Sequence, residues 1–487
     1  MRSVTGLTGA ALISIAAAQH IGKNPELHPK LSTWECSWQD GCREKKTSVV
    51  LDALAHPVRQ VDHPQYNCGD WGSKPNETAC PDEKTCHDNC VMEGISDYEQ
   101  VGVTTDGSSI RLDMLSDNGT LYNPRVYLLS EGETEYEMLS LAGKEFTFDV
   151  DVSKLPCGMN GAVYLSEMPS DGGMGGLNEA GAYYGTGYCD AQCYTTPFIS
   201  GKPNIKGRGA CCNEMDIWEA NSRASNIASH PCNRTGLFEC EGDECGKQGS
   251  CDKIGCTYNP YKLGNRDSYG RGWRKALDTT RPFTVISQYP LNDDGSLHSY
   301  RRSYIQDGRF IPMGEVRFDN LPKVNYLTEE LCEATKADKY LDLGGHKAMG
   351  EAMDRGMVLA LSIWWDDQDH LQWLDGAPSG PCNETEGMPE NIRKNHPGTE
   401  VTFRNIRWGD LGSTFSLGLG NCTVRDGGDE ANLPLVSVPD RRRGVRQVEH
   451  GRHVHEHVHG HAHGHVHGIG HAHGHAHDLF RAPSGLL

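Results

Sequence analysis

Long apolar segments are nearly absent from this sequence of 487 residues. A helix that crosses a membrane needs about 20 consecutive, mainly apolar residues, and the longest apolar run, LTGAALISIAAA, is well short of that length. The run follows Arg2 and ends in small residues, which is typical of a secretory signal cleaved after Ala18. The sequence therefore argues against a membrane-spanning helix and predicts a secreted, extracellular protein.

Positive charge is also scarce, because 46 Lys and Arg residues stand against 66 Asp and Glu residues, for a formal net charge of −20. Proteins that bind nucleic acid neutralise its phosphates with Lys and Arg. The composition therefore disfavours nucleic acid, and it disfavours an anionic membrane surface for the same reason. A neutral polymer or a neutral small ligand is a more compatible partner.

Zinc-finger cysteine spacing is missing too, although the chain has 19 cysteines. All but three of them lie between Cys36 and Cys256, which indicates a disulfide framework. Five glycosylation sequons agree with a secreted glycoprotein, at Asn76, Asn118, Asn233, Asn383 and Asn421.

Residues 19–423 form one continuous body in which turn residues separate short apolar runs. The runs rich in β-branched and aromatic residues predict strands, and they are RVYLLS, EFTFDVDV, AVYLSEM, PFTVISQY, MVLALSIWW and EVTFRNIRW. Many short strands with frequent turns are typical of a β-sandwich or a β-barrel. The chief helical segment is 328–355, with Thr328 as its N-terminal cap and Gly344-Gly345 dividing it into two pieces.

Composition changes sharply at residues 424–487, where the basic stretch PDRRRGVRQ precedes a His-rich tail. Thirteen of the 23 histidines lie in this tail, which has no apolar face and is predicted to be disordered. Clustered imidazoles are able to bind divalent transition metals, and such clusters include His453, His455, His457 and His459. The alternative is a solvated tail, and we expect no role for it in catalysis.

Three acidic side chains lie close together in CCNEMDIWEANSRA, residues 211–224. On a regular strand Glu214 and Asp216 share one face and Glu219 points to the other, but a β-bulge after Asp216 would return Glu219 to the shared face. Two carboxyls about 5–5.5 Å apart are what a retaining glycosidase uses as nucleophile and acid/base. The alternative is the polar edge of an ordinary strand.

Two adjacent cysteines next to these acidic residues favour a functional site over an ordinary strand edge. Cys211 and Cys212 face opposite sides of a strand, so each needs its own partner. The nearby segment YCDAQC offers Cys189 and Cys193. Two disulfides would then attach the acidic strand rigidly to that segment, as a site or as simple stabilisation.

Tryptophans supply the second requirement of a sugar site, because apolar sugar faces stack on flat aromatic rings. Trp364 and Trp373 lie in SIWWDDQDHLQWLD, beside turns rich in aspartate. Core packing is the alternative for any tryptophan, but this context favours a surface cleft for Trp373.

Together these segments resemble glycoside hydrolase family 7, the fungal cellulases, over about residues 25–415. The motifs that carry the resemblance are CCNEMDIWEANSRA, GTGYCDAQC, KLPCGMNGAVYLSEM, CPDEKTCHDNCVMEG, QVGVTTDGSSIRL, GMVLALSIWWDD and NIRWGDLGST. The resemblance implies a curved all-β sandwich of jelly-roll, concanavalin-like type with long loops, a few short helices and a substrate cleft. It also implies retaining hydrolysis of β-1,4-glucan without a cofactor and without a metal in the active site.

The family motif implies specific catalytic roles. It places the nucleophile on Glu214, the acid/base on Glu219 and a supporting carboxylate on Asp216, with His230 close to the acid/base. The residues that match positions around the reacting sugar are Tyr164, Tyr188, Asp190 and Gln192.

Substrate platforms and disulfides are implied in the same way. Trp364 and Trp373 match stacking platforms on the leaving-group side. The implied disulfides are Cys36–Cys42, Cys68–Cys90, Cys80–Cys86, Cys157–Cys382, Cys189–Cys212, Cys193–Cys211, Cys232–Cys251, Cys240–Cys245 and Cys256–Cys332. This scheme leaves Cys422 unpaired and so accounts for the odd number of cysteines.

Loop lengths favour an endoglucanase over a cellobiohydrolase, whose long loops cover a tunnel. The segments NIKGRGA, GKQGS and LDGAPSGPC are short, and the stretch from Leu51 to Asp70 has no tryptophan with which to thread a chain end. We therefore expect a monomeric endo-β-1,4-glucanase acting on cellulose or related β-glucans. The alternatives are a cellobiohydrolase, a non-catalytic β-glucan-binding protein of the same fold, and a secreted metal scavenger acting through its tail.

Overall fold

The computed structural model describes residues 20–416. The expectations for the signal segment, the tail after residue 423, Asn421 and Cys422 therefore lie outside the described residues.

Short strands make up most of the described chain, as the alternating turn signals predict. In order these strands are β1 (His20–Ile21), β2 (Lys30–Ser37), β3 (Gly41–Leu51), β4 (Val58–Gln60), β5 (Cys90–Met92), β6 (Val103–Asp106), β7 (Ser109–Asp113), β8 (Arg125–Leu129), β9 (Met138–Leu139), β10 (Lys144–Asp151), β11 (Asn160–Ser166), β12 (Phe198–Ile199), β13 (Lys202–Pro203), β14 (Gly209–Cys211), β15 (Glu214–Ala220), β16 (Ser225–His230), β17 (Phe238–Cys240), β18 (Cys256–Thr257), β19 (Tyr269–Gly270), β20 (Leu277–Asp278), β21 (Phe283–Gln288), β22 (Tyr300–Gln306), β23 (Arg309–Pro312), β24 (Tyr326–Leu327), β25 (Met357–Trp364) and β26 (Glu400–Asp410). All six apolar runs that predict strands form them, namely β8, β10, β11, β21, β25 and β26.

The α-helices of residues 20–416 are short, and none of them is long and apolar enough to cross a bilayer. They are α1 (Glu83–Asn89), α2 (Glu329–Ala334), α3 (Asp338–Asp342), α4 (Gly345–Arg355), α5 (Gln372–Asp375) and α6 (Pro389–Asn395), and there are 3-10 turns at Ala53–Ala55, Tyr98–Val101, Ala182–Tyr184 and Gly242–Cys245.

The predicted helical segment 328–355 forms, but in three pieces rather than two. Thr328 caps α2, because its side chain accepts a hydrogen bond from the Leu331 N–H at 3.2 Å. The break at Gly344 follows the prediction. The additional break lies between α2 and α3, where Lys336 has a left-handed φ of 64° that a helix does not accommodate.

A 17-stranded sheet forms the body of the molecule. Its hydrogen bonds run continuously through β18, β16, β15, β11, β25, β8, β3, β2, β26, β10, β21, β22 and β23. Trp218 on β15 nevertheless packs edge-on against Phe148 on β10, with ring centroids 6.2 Å apart. Strands far apart in the pairing order therefore face each other, and the sheet forms a sandwich of the predicted jelly-roll type.

Side chains of β25 show how one layer of this sandwich is used. Leu359, Leu361 and Ile363 point into the main core between the layers. The alternate residues Val358 and Ala360 point the other way and belong to a second buried cluster. The period of two therefore sends alternate side chains of β25 into two different buried clusters, and both faces of the strand are covered.

Nine disulfides connect the described residues. They join the same pairs of cysteines that the family resemblance implies. The longest, Cys157–Cys382, closes a separation of 225 residues. The framework therefore ties together parts of the chain that are remote in sequence.

Candidate active site

The three acidic residues of β15 share one face because the strand is bulged. Pairing with β16 shifts register between Asp216 and Glu219, so that β15 uses one more residue than its partner. Ile217 and Trp218, which are consecutive, both enter the main core. Glu214, Asp216 and Glu219 occupy the positions that remain, on the face opposite the main core, and each is more than nine-tenths buried.

Glu214 lies at the start of β15 and accepts a hydrogen bond from the Ala191 N–H at 3.1 Å. Burial and the negative charges of Asp216 and Asp190 raise the pKa of Glu214. The positive charge of His230 and the Ala191 N–H act in the opposite direction. These two contacts favour the ionised carboxylate that a nucleophile requires, but burial and the neighbouring acids outweigh them.

The donor to Glu214 is held in place by two disulfides. Ala191 lies between Cys189 and Cys193, and these cysteines bond to Cys212 and Cys211 respectively. The pair of bridges therefore fixes the segment that carries the N–H against the beginning of β15.

Asp216 forms an ion pair with His230, with 3.0 Å between Oδ2 and Nε2. The other ring nitrogen, Nδ1, lies 2.9 Å from the Asp252 carbonyl oxygen and must donate to it. Burial alone would lower the pKa of His230, but the hydrogen bond and charge of Asp216 outweigh burial and raise that pKa to about 10. His230 is therefore an imidazolium that is ion-paired with the ionised Asp216.

Glu219 is bound by two asparagine amides. Asn160 Nδ2 donates to one carboxylate oxygen at 3.1 Å, and Asn226 Nδ2 donates to the other at 3.2 Å. The orientation of Asn160 is fixed, since its Oδ1 accepts from the Ala220 N–H. Burial and the charge of Asp216 outweigh these donors and raise the pKa of Glu219 to about 8.

The residues expected around the reacting sugar lie together on the Glu214 side. The Tyr188 hydroxyl donates to Asp190 at 2.8 Å and lies 3.2 Å from the Tyr164 hydroxyl. Burial raises the pKa of Asp190. Gln192 donates its backbone N–H to Asp190, while its side-chain amide donates to the Lys253 carbonyl.

The two predicted platforms also lie near each other. The rings of Trp364 and Trp373 are 6.4 Å apart at an interplanar angle of 31°. Trp364 ends β25, in register with Asn160 of β11, and Trp373 on α5 is 40% exposed. Both rings are therefore on the Glu219 end of these strands, and their assignment to the leaving-group side stays a prediction.

A family model for glycosyl hydrolase family 7 matches residues 21–415 of this sequence. The chain belongs to glycosyl hydrolase family 7. Among curated relatives, endoglucanase type C of Fusarium oxysporum is 52% identical over 421 residues, covering 86% of this chain and 97% of that protein. As a family 7 member the chain is a glycoside hydrolase of the cellulase type.

Solved family 7 structures share the fold. The native endocellulase EGI of Humicola insolens is 51% identical, with a TM-score of 0.80, over 81% of this chain and 100% of that one. A family 7 cellobiohydrolase of Daphnia pulex has a TM-score of 0.75 at 35% identity, over 81% of this chain and 100% of that one.

The candidate site contains residues that sequence reasoning misses. Asn160 and Asn226 bind Glu219, and Arg125 stacks on Tyr188 with its guanidinium carbon 3.5 Å from the ring centroid. Trp71 is 5.8 Å from the same ring. For Asn160 the available signal is a polar residue at the start of an apolar strand. For Trp71 it is an aromatic residue in a glycine-rich loop.

Proposed function

We propose that this family 7 cellulase is a secreted, retaining endo-β-1,4-glucanase that cleaves internal bonds of cellulose and related β-glucans. The observation that carries the proposal is the bulge in β15, which brings Glu214, Asp216 and Glu219 to one buried face. A non-catalytic glucan-binding protein would have no use for three desolvated carboxylates, since burying charge is costly. The name endoglucanase of the Fusarium oxysporum relative supports the reaction class.

The proposed first step is displacement at the anomeric carbon. Glu214 attacks that carbon and forms a glycosyl-enzyme ester, while Glu219 gives its proton to the departing glycosidic oxygen. A pKa of about 8 for Glu219 keeps it protonated at neutral and mildly acidic pH. Asp216, which is ion-paired with His230, supplies the negative charge that helps Glu219 to hold its proton.

The second step releases the sugar. Glu219, now ionised and hydrogen-bonded to Asn160 and Asn226, takes a proton from water, and the water oxygen attacks the anomeric carbon. The bond to Glu214 breaks, and the anomeric configuration is retained. Glu219 regains the proton that it gave away, so the enzyme returns to its starting state.

Endo attack is favoured over exo attack by the loops. The segments that precede Cys211, Cys251 and Cys382 are short, and short loops leave a cleft in which a chain is able to bind at its middle. Higher identity to an endoglucanase, 52%, than to a cellobiohydrolase, 35%, agrees with this choice. We expect a monomer that uses no cofactor, because two carboxylates suffice for the chemistry.

Viscosity of a soluble cellulose derivative, followed together with reducing-end release, tests this function. An endo-acting enzyme lowers viscosity early, well ahead of the release of reducing ends. The Glu214→Gln variant is the control, and its turnover should fall by at least about 10³-fold because an amide is a poor nucleophile. Steady release of cellobiose at nearly constant viscosity would favour the cellobiohydrolase, and full activity in Glu214→Gln would refute the assigned nucleophile.

A further inference from the structure

Two exposed aromatic side chains adjoin the active site without a role in the mechanism above. Trp71 is 44% exposed and Tyr194 is 51% exposed. Their ring centroids are 6.2 Å apart at an interplanar angle of 44°. Because the two rings lie side by side, together they offer a half-exposed aromatic surface on which the apolar face of a ligand is able to stack.

The loop that carries Trp71 is firmly attached. Cys68 precedes it and is bonded to Cys90. At Gly69 a Cβ atom would come within 2.7 Å of Pro197, so the loop backbone lies directly against the segment that follows Tyr194. The backbone of the loop that carries Trp71 is therefore held by the Cys68–Cys90 disulfide and by its close approach to Pro197.

The inner face of Trp71 is also supported. The guanidinium carbon of Arg125 lies 4.8 Å from the Trp71 ring centroid and 3.5 Å from that of Tyr188. Arg125 is itself held by Asp52 at 3.0 Å. A stack of this kind fixes the ring before any ligand arrives, and preorganisation reduces the cost of binding.

The aromatic pair is continuous with the catalytic residues. Tyr188 touches Trp71 and donates a hydrogen bond to Asp190. Burial and the charges of Asp190, Asp366 and Glu214 raise the pKa of Tyr194. Tyr194 is connected to these residues through Trp71, whose ring centroid lies 6.2 Å from that of Tyr194 and 5.8 Å from that of Tyr188.

We propose that Trp71 and Tyr194 form an additional glucan subsite on the Tyr188 side of Glu214. Its ligand is a glucosyl unit of the same chain that is remote from the bond cleaved. The flat rings would stack on the apolar face of that sugar. This inference deepens the proposed glucanase function and rests on it.

The test compares substrates of different length in Trp71→Ala and Tyr194→Ala variants. For cellohexaose we expect kcat/KM to fall about 3- to 10-fold, which is the size of one stacking interaction. The fall should lie mainly in KM, because the contact is made equally in ground and transition state. On an aryl cellobioside, which is too short to reach a remote subsite, the fall should be several-fold smaller. Trp71→Phe should retain most of the wild-type value for cellohexaose.

Trp273→Ala is the matched control, since Trp273 is 83% exposed and packs only against Arg274 among the described ring contacts. It should leave both substrates unaffected. Equal losses on the two substrates, no loss on either, or the same loss in the control would overturn the subsite.

Binding separates this inference from the proposed function. In a Glu214→Gln background, calorimetry with cellohexaose should give a Kd that rises about 3- to 10-fold on Trp71→Ala. A Kd that is independent of Trp71 in an enzyme with normal glucanase activity would refute the subsite alone. If binding depends on Trp71 but the chain with Glu214 intact hydrolyses no glucan, the subsite is supported and the glucanase is refuted.

Discussion

A general acid must hold its proton until the leaving group needs it and must then lose it within the same turnover. Glu219, the proposed general acid, meets this requirement through opposing contacts. Burial and Asp216 favour the protonated form, whereas the amides of Asn160 and Asn226 stabilise the carboxylate. The side chain is thus able to serve in both steps of a double displacement.

The Glu219→Gln variant should discriminate between substrates. On a glucan we expect kcat/KM to fall about 10²- to 10⁴-fold, because the alkoxide of a sugar departs poorly without a proton. On an aryl cellobioside with an acidic phenol the fall should be much smaller, since that leaving group needs no proton. Equal losses measured on the two substrates would rule out Glu219 as the proton donor.

The pH dependence of the wild-type enzyme should report the same group. The proposed acid role needs protonated Glu219, so kcat/KM on a glucan should fall as pH rises through about 8. Because the charge of Asp216 helps to raise that pKa, Asp216→Asn should move this alkaline limb to lower pH. A pH–rate profile of the wild type and of Asp216→Asn measures the shift. An alkaline limb that stays in place would show that Asp216 does not affect the pKa of Glu219.

At the residue scale, the sequence identifies the acidic residues but does not identify the residues that form hydrogen bonds to them. Spacing alone identifies Glu214, Asp216 and Glu219 as candidates, because a bulge is the simple way to bring them to one face. Asn160 is 59 residues from Glu219, and a contact of that range depends on the register between β11 and β15. Register is set by the packing of whole strands.

Among the structural elements, strands were easier to predict than helix ends. The β-branched and aromatic runs form β8, β10, β11, β21, β25 and β26, because residues of these types favour a strand. The helical segment carries only one strong breaker, Gly344-Gly345, in the sequence. Its other break depends on the backbone conformation of Lys336, for which residue type gives no signal.

The segment that presents Ala191 to Glu214 gives a prediction at this scale. Replacing both Cys193 and Cys211 by serine opens a loop with a sequence separation of 18 residues. The free energy of unfolding should fall by about 3 kcal/mol, and glucanase activity should fall with it, because the donor to Glu214 becomes less well fixed. Urea unfolding and kcat under non-reducing conditions measure the two effects.

Cys36 and Cys42 provide the matched control, since their bridge spans only six residues and Cys42 is exposed. The corresponding double serine variant should lose less stability and no activity. If both double variants lost the same activity, the special role of the Cys193–Cys211 bridge would be contradicted.

For the whole molecule, the strands that carry the candidate site residues all lie within residues 20–416, and the last described strand, β26, ends at Asp410. We therefore expect that deletion of residues 424–487 leaves glucanase activity and melting temperature nearly unchanged. Affinity for nickel should drop sharply, because 13 of the 23 histidines are removed. Titration with nickel and a thermal melt of both proteins test this, and a large fall in melting temperature would show that the tail stabilises the body.

The position of β26 has a consequence for how cells make this protein. The strand comes last in the described chain, yet it pairs with β2, β7 and β10 from the first part of the sequence. During synthesis the earlier strands must therefore wait with unpaired edges until the end of the domain has emerged. Most cysteines emerge in that interval, so mispaired bridges have time to form. We expect the yield in a heterologous host to be limited by chaperones and disulfide isomerase rather than by translation.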